Sequence, residues 1–198
     1  MTRIIQISDP HIVPSGQLAY GQVDTAAALA SCVKTVNRLL PEIGPVELAI
    51  VTGDITDFGT KEEYQRFREI MEPLKLPYRA IPGNHDNVVN MRACFSDQSW
   101  MPSTGPINWT IEFDDLVLIA LDSSIPGQAH GHLSEETLSF LVNTLERQNG
   151  LPALVALHHP PITTGIEKMD IQNLRDSAKL EAILSGYPGE LRLICGHV

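Results

Sequence analysis

Short apolar runs of four to six residues alternate along the chain with longer segments whose apolar residues recur every three or four positions. The first pattern suits buried strands and the second suits helices with one apolar side. The predicted strands are Arg3–Ser8, Leu48–Thr52, Tyr78–Ile81, Trp109–Phe113, Leu116–Leu121, Ala153–Leu157 and Leu191–Cys195. Helices fill the intervals. Between Asp24 and Leu40, the residues Ala26, Leu29, Val33, Val36 and Leu40 follow a helical period, and Pro41, which has no N–H to donate, is expected to stop the helix. Thr60-x-x-Glu63 is a capping box at the head of a Lys61–Met71 helix, with Pro73 beyond its end. Ser134 caps a Glu135–Gln148 helix whose first two residues place negative charge at its positive end. A last helix is expected over about Ser177–Ser185. Phe113-Asp114-Asp115-Leu116 reads as a tight hairpin, so one part of the sheet is antiparallel, whereas strand–helix alternation elsewhere gives parallel neighbours. The fold class is therefore α/β with a largely parallel or mixed sheet. No repeat, low-complexity tract or linker interrupts residues 1–198, which read as a single domain; Ser96–Ile107 is the longest loop-like stretch.

A chain of 198 residues buries enough surface to fold without a disulfide or structural metal, so any metal it holds is expected to be functional. Fourteen basic against twenty-four acidic side chains give a formal net charge of −10. That balance disfavours a nucleic-acid face or attraction to anionic membranes, and an anionic substrate would need a local positive source. The longest apolar run, Leu116–Leu121, falls far short of the ~20 residues that span a bilayer. Met1-Thr2-Arg3 leads straight into a strand without the regions of a signal peptide. Cys32, Cys94 and Cys195 are scattered and form no CxxC pair, which points to a reducing cytoplasm.

The unusual polar residues fall where the strands end. Asp9 and His11 follow the first strand, Asp54 the second, and Asn84, His85 and Asp86 the third. His158 and His159 follow the Ala153 strand, and His197 follows the last. Ligands of open α/β sheets bind beyond the carboxyl ends of strands, so these residues are expected to converge on one rim. Taken singly, Asp9-Pro10-His11 and Gly53-Asp54 fit ordinary turns, and His158 and His159 fit core histidines. Five such coincidences in one chain are harder to account for. His130 and His132 sit in a polar loop with no role assigned, and Trp100 and Trp109 read as packing residues.

Two aspartates, an asparagine and several histidines make a mixed oxygen and nitrogen donor set, suited to zinc, manganese, iron or cobalt rather than calcium or magnesium. Six or so donors over-supply one ion and fit two that share a carboxylate. Paired ions roughly 3.5–4 Å apart hold the attacking and leaving oxygens in phosphatases and nucleases. Two divalent ions with two aspartates and a bridging hydroxide keep a charge of about +1, the complement of a phosphodiester monoanion. The pair would also lower the pKa of a bridging water, and His85 could stabilise developing charge or protonate the leaving alkoxide.

Asp9-Pro10-His11, Gly53-Asp54-Ile55-Thr56-Asp57, Gly83-Asn84-His85-Asp86, His158-His159 and Gly196-His197-Val198 run in order over essentially the whole chain. Together they resemble the motifs of the calcineurin-like binuclear metallophosphoesterase superfamily. With Tyr20-Gly21 and His158-His159-Pro160-Pro161, the chain is most similar to bacterial class III cyclic-nucleotide phosphodiesterases and glycerophosphodiesterases. The resemblance implies a four-layer αββα sandwich and two divalent or mixed-valence ions (iron, manganese, zinc or cobalt). It places Asp9 and His11 on the first ion, Asp54 as bridge, and Asn84, His158 and His197 on the second, with His85 contacting phosphate beside Asn84. Of the two adjacent imidazoles it favours His158 as ligand and leaves His159 structural. Asp57 and Asp86 become orienting or capping residues. Protein phosphatases of the superfamily carry arginines where this chain has Phe58 and Asn87, so a small diester is the expected substrate: a 3',5'-cyclic nucleotide or a glycerophosphodiester, hydrolysed by a metal-bridging hydroxide. Val198 stands one residue before the second histidine of Gly-His-x-His, a first-ion ligand in the family, which implies a weakened first site and a chain that ends inside its last motif. The resemblance further implies a homo-oligomer in the full-length form. The alternatives are a non-catalytic scaffold of the same fold and a single-metal phosphomonoesterase.

Overall fold

A computed structural model describes residues 1–198. The elements run β1 (Ile4–Ile7), α1 (Thr25–Ile43), β2 (Leu48–Thr52), α2 (Lys61–Met71), β3 (Tyr78–Ile81), α3 (Val88–Cys94) and β4 (Trp109–Glu112). They continue with β5 (Val117–Ala120), α4 (Glu135–Gln148), β6 (Ala153–Ala156), α5 (Glu167–Asp170), α6 (Ser177–Ser185) and β7 (Leu191–Ile194). One sheet has the order β1-β2-β3, all parallel; the other has the order β4-β5-β6-β7. In the second, β4 and β5 form the antiparallel hairpin, with the Phe113 N–H donating to the Leu116 carbonyl at 2.8 Å, and the remaining neighbours are parallel.

Alternation along β5 and β6 explains how the sheets stack. Val117, Ile119, Leu121, Ala153, Val155 and Leu157 face one way and pack with Leu138, Leu141 and Leu145 of α4 and Leu180 of α6. Leu118, Ala120 and Ala156 face the other way and join the core of the first sheet and its helices. Residues buried on both faces of a sheet read as continuous apolar runs, and β2, buried at every position, does so. The result is helix, sheet, sheet, helix. On the outer side of the first sheet, α2 presents Tyr64, Phe67 and Met71, all at most 1% exposed and spaced to share one helix face.

Local chemistry sets the helix ends. The capping box at Thr60 and Glu63 is formed in both directions, and Ser134 accepts from the Thr137 N–H. The helix from Asp24 differs from expectation, because it passes through Pro41 and ends at Ile43, where Gly44 (φ 80°) turns the chain. Pro41 has no N–H for the carbonyl four residues back, and the helix ends two residues after it. The pattern did not mark α3 or the single turn of α5; α3 is seven residues long and opens with two valines. Trp100 and Trp109 pack together in the core, the three cysteines are unpaired, and no helix is long and apolar enough to cross a membrane.

Candidate metal centre

The loops after β1, β2, β3, β6 and β7 meet at one rim, where both sheets contribute. Asp9 and His11 come from the first loop, Asp54 from the second, Asn84 and His85 from the third, His158 from the fourth and His197 from the fifth. Close approach requires glycine at two points. A Cβ on Gly53 would lie 2.3 Å from His158 Nδ1, and one on Gly83 would lie 2.2 Å from Asp54 Oδ1. The loops are also bent sharply. Six non-glycine residues have left-handed φ, and Asp9 (54°), His11 (41°), Asp54 (47°) and His197 (74°) are four of them. Strain of this kind persists where the surroundings over-determine the backbone, and it gathers at functional sites.

Side-chain donors cluster about two points that share one oxygen. Asp54 Oδ2 lies 3.4 Å from His158 Nε2 and 3.6 Å from His11 Nε2. Around the first nitrogen, Asn84 Oδ1 is at 3.1 Å and His197 Nδ1 at 3.2 Å. Around the second, Asp9, His11 and Asp54 offer ligand atoms within 4.8 Å of one another. The other Asp54 oxygen accepts from the His85 N–H at 2.9 Å, and Asp9 accepts from the His197 N–H at 3.1 Å on each oxygen.

The donor chemistry fits a cation. His158 Nδ1 lies 2.8 Å from the Thr52 carbonyl, which can only accept, so Nδ1 carries the proton and neutral His158 points a lone pair into the cluster. In that neutral form carboxylate, amide and imidazole lone pairs face one another at 3.1–3.4 Å, and without an ion only a proton on His158 Nε2 relieves them. Ligand atoms around one ion at metal–ligand distances of about 2.0–2.2 Å have this spacing. Burial alone would push Asp54 up, yet the hydrogen bond and charge of His158, with those of His85, hold it well below the carboxylate range. Burial pushes His158 down, but the bond and charge of Asp54 outweigh it, so the site draws positive charge.

Matching against protein families, residues 2–198 fit the model described as calcineurin-like phosphoesterase. The chain belongs to that family. It is 42% identical over 196 residues to a protein named probable glycerophosphodiester phosphodiesterase GpdQ in Arcobacter nitrofigilis, covering 98% of this chain and 71% of that one. With the glycerophosphodiester phosphodiesterase GpdQ of Enterobacter lignolyticus it shares 34% identity, over 98% of this chain and 69% of the relative. It is 31% identical to the 3',5'-cyclic adenosine monophosphate phosphodiesterase CpdA of Pseudomonas aeruginosa, over 98% and 68%. Among solved structures, the purple acid phosphatase PPD1 from yellow lupin (Lupinus luteus) seeds shares the fold, with a TM-score of 0.62 at 14% identity, over 100% of this chain and 38% of that one. The metallophosphoesterase architecture and metal dependence thus belong to the chain through its family.

Within this family frame, supporting residues surround the donors. Asp57 Oδ1 lies 3.1 Å from His11 Nδ1, so it orients that ring, and the Asp57 carbonyl accepts from His85 Nδ1 at 2.9 Å. Asp86 accepts from the N–H groups of Gly83, Ile55 and Thr56, the Thr56 hydroxyl and the Tyr64 hydroxyl, tying the second loop to the third. Burial, then the charge of Asp54, push the Asp86 carboxyl up to about 6. His159 places Nδ1 2.8 Å from Ser123 Oγ, and a nitrogen of its ring lies within 4.8 Å of ligand atoms of His158 and His197. His132 pairs instead with Asp176 at 2.5 Å, 46% exposed. Ser123 and Tyr64 carried no signal in the sequence, since a serine after a strand and a tyrosine on a helix face are ordinary when taken alone.

Proposed function

We propose that the chain is a metal-dependent phosphodiesterase that hydrolyses small phosphodiesters, with glycerophosphodiesters and 3',5'-cyclic nucleotides as candidate substrates. The observation that carries this reading is Asp54 Oδ2 standing between His11 Nε2 and His158 Nε2, where one oxygen can serve two cations. Asp9 and His11 would hold one ion with Asp54; Asn84, His158 and His197 would hold the other. When bound, two transition-metal ions (iron, manganese, zinc or cobalt) supply positive charge for the phosphate and lower the pKa of the attacking water. His85 keeps Nδ1–H on the Asp57 carbonyl, leaving Nε2 for the substrate. In its imidazolium form, with Asp57 Oδ1 at 3.5 Å to balance the charge, it can pass the Nε2 proton to the leaving alkoxide.

Support for a diester over a monoester comes from two positions. Phe58 is 65% exposed, and the Asn87 side chain caps α3 by accepting from the Asn90 N–H. Neither offers the bidentate guanidinium that grips a phosphate dianion. Relatives named for diester hydrolysis favour the same class. The three unpaired cysteines support a cytoplasmic location, and we read residues 1–198 as one catalytic domain that assembles as a homo-oligomer.

The test compares a bis-aryl phosphate, a glycerophosphodiester, cyclic AMP and an aryl monophosphate, with manganese or zinc added. Diester turnover should exceed monoester turnover. Asp54→Ala should lose both ions, whereas His85→Ala should keep them and lower turnover by about 10²–10⁴-fold. Parent-like metal content in Asp54→Ala would refute the shared carboxylate. Metal-loaded protein that turns over no diester would identify a scaffold, and faster monoester cleavage with one ion bound would identify a single-metal phosphomonoesterase.

A further inference from the structure

A cleft of about 450 Å³ opens at the end of the molecule opposite the metal centre. Leu48 and Tyr78, the first residues of β2 and β3, line it, whereas the metal donors follow the last residues of those strands. Its walls carry the aromatic side chains of Tyr78, Trp100 and Phe113, and one cation, Arg79, stands among them. The volume lies within the ~300–1,000 Å³ of small-molecule sites, which combine apolar walls with a few polar groups.

Arg79 is half-buried and belongs to no ion pair. A guanidinium has five N–H groups, and the hydrogen bonding of Arg79 uses one, from Nη1 to the Thr110 carbonyl at 3.3 Å. Its Cζ lies over the Trp109 ring, 5.4 Å from the centroid, a contact that offsets part of the charge but accepts none of the in-plane N–H groups. Burial pushes Arg79 below its ordinary pKa, the direction of a charge short of partners. A second donor in the wall is also unsatisfied: Trp100 is 8% exposed, and its Nε1 is buried with no acceptor. That atom lies beneath the surface, so Arg79 is the contact a ligand reaches first. Both groups are donors, and what the cleft lacks is an acceptor bearing negative charge. Glu47, the one carboxylate along the cleft, is exposed and does not pair with Arg79.

We propose that this cleft is a second binding site, for a small aromatic carboxylate whose oxygens take the free N–H groups of Arg79 and whose ring packs on the aromatic walls. A single guanidinium with Glu47 nearby matches a monoanion better than a phosphate dianion, and three aromatic side chains match a flat apolar body. The site shares no residue with the metal centre.

The chain's two tryptophans, Trp100 and Trp109, both adjoin the cleft, so intrinsic tryptophan fluorescence reports on it selectively. Benzoate titrated into the metal-loaded chain should change that fluorescence saturably, and excess chelator should leave the affinity unchanged. Benzamide, the neutral isostere, and inorganic phosphate, which has no ring, should each bind roughly 10–100-fold more weakly. Arg79→Met keeps an apolar stem over Trp109 and should lose the same factor for benzoate. Glu47→Gln, which removes a like charge, should tighten benzoate binding by up to about 5-fold. If Arg79→Met does not fold, the benzamide loss and the Glu47→Gln gain carry the test, and failure of either overturns the proposal. It is equally overturned by no saturable response to benzoate, by parent-like affinity in folded Arg79→Met, by phosphate or benzamide binding as tightly as benzoate, or by binding that chelator abolishes, which would put the carboxylate on the metals.

Discussion

Left-handed φ at Asp9, His11, Asp54 and His197 carries a specific energetic signature. An L-residue in that region is strained by about 1–2 kcal/mol relative to glycine. Asp54→Gly should therefore be more stable than Asp54→Ala by about 1 kcal/mol in metal-free protein, reversing the usual order of the two residues; urea unfolding measures it. Both variants lose the same carboxylate, so their difference isolates the backbone. Close approach gives a second case. Gly83→Ala would drive a Cβ to 2.2 Å from Asp54 Oδ1 and 2.4 Å from the Asp54 N. It should destabilise the chain by about 1–3 kcal/mol and abolish metal uptake, as read by melting and by cobalt titration. At this scale the sequence named residue types well and their conformations poorly. Gly-Asp and Gly-Asn-His-Asp declared polar groups at turns, but nothing local fixes a ring nitrogen's proton or shows that Asp86 gathers five donors from two loops and α2.

Among the elements, α2 was the most legible because three signals agreed over Lys61–Met71: the cap, the apolar spacing and the proline beyond. Its cap is bound closely, with Glu63 Oε2 accepting from the Thr60 N–H at 2.8 Å and the Thr60 hydroxyl at 2.9 Å. Thr60→Ala should cost about 1 kcal/mol, seen as a fall in Tm of roughly 2–4 °C with metal sites intact. By contrast, α3 went unmarked, since Asn87 caps it from inside a loop already crowded with polar residues, and seven residues give too short a window for periodicity. The end of α1 lies two residues beyond Pro41, because a proline perturbs the turn that precedes it and does not by itself fix the last helical residue.

Across the whole molecule, the donors at the rim come from both sheets: Asp9, His11, Asp54 and Asn84 from loops of the first, His158 and His197 from loops of the second. A bound ion pair would therefore add a link between two sheets already joined by apolar packing and by hydrogen bonds such as His158 Nδ1 to the Thr52 carbonyl and the His197 N–H to Asp9. Ligand at about 1,000 times its Kd stabilises by about 4 kcal/mol, so chelation should lower Tm by roughly 8–16 °C at this size. Asp54→Ala should make Tm indifferent to added metal; a chelator that shifts parent and variant alike contradicts that coupling. The sequence by itself determined the strands, most helices, the hairpin and the chemical types waiting at the strand ends, because period and turn residues act over a few neighbours. Only the tertiary structure decided that two sheets stack with their rims aligned, that His158 faces Asn84 while His159 faces Ser123, and that the His159 and His197 rings pack together. Those outcomes depend on register between segments from some tens to more than a hundred residues apart, such as Ser123 with His159 and Thr52 with His158, and no local pattern encodes such a distance.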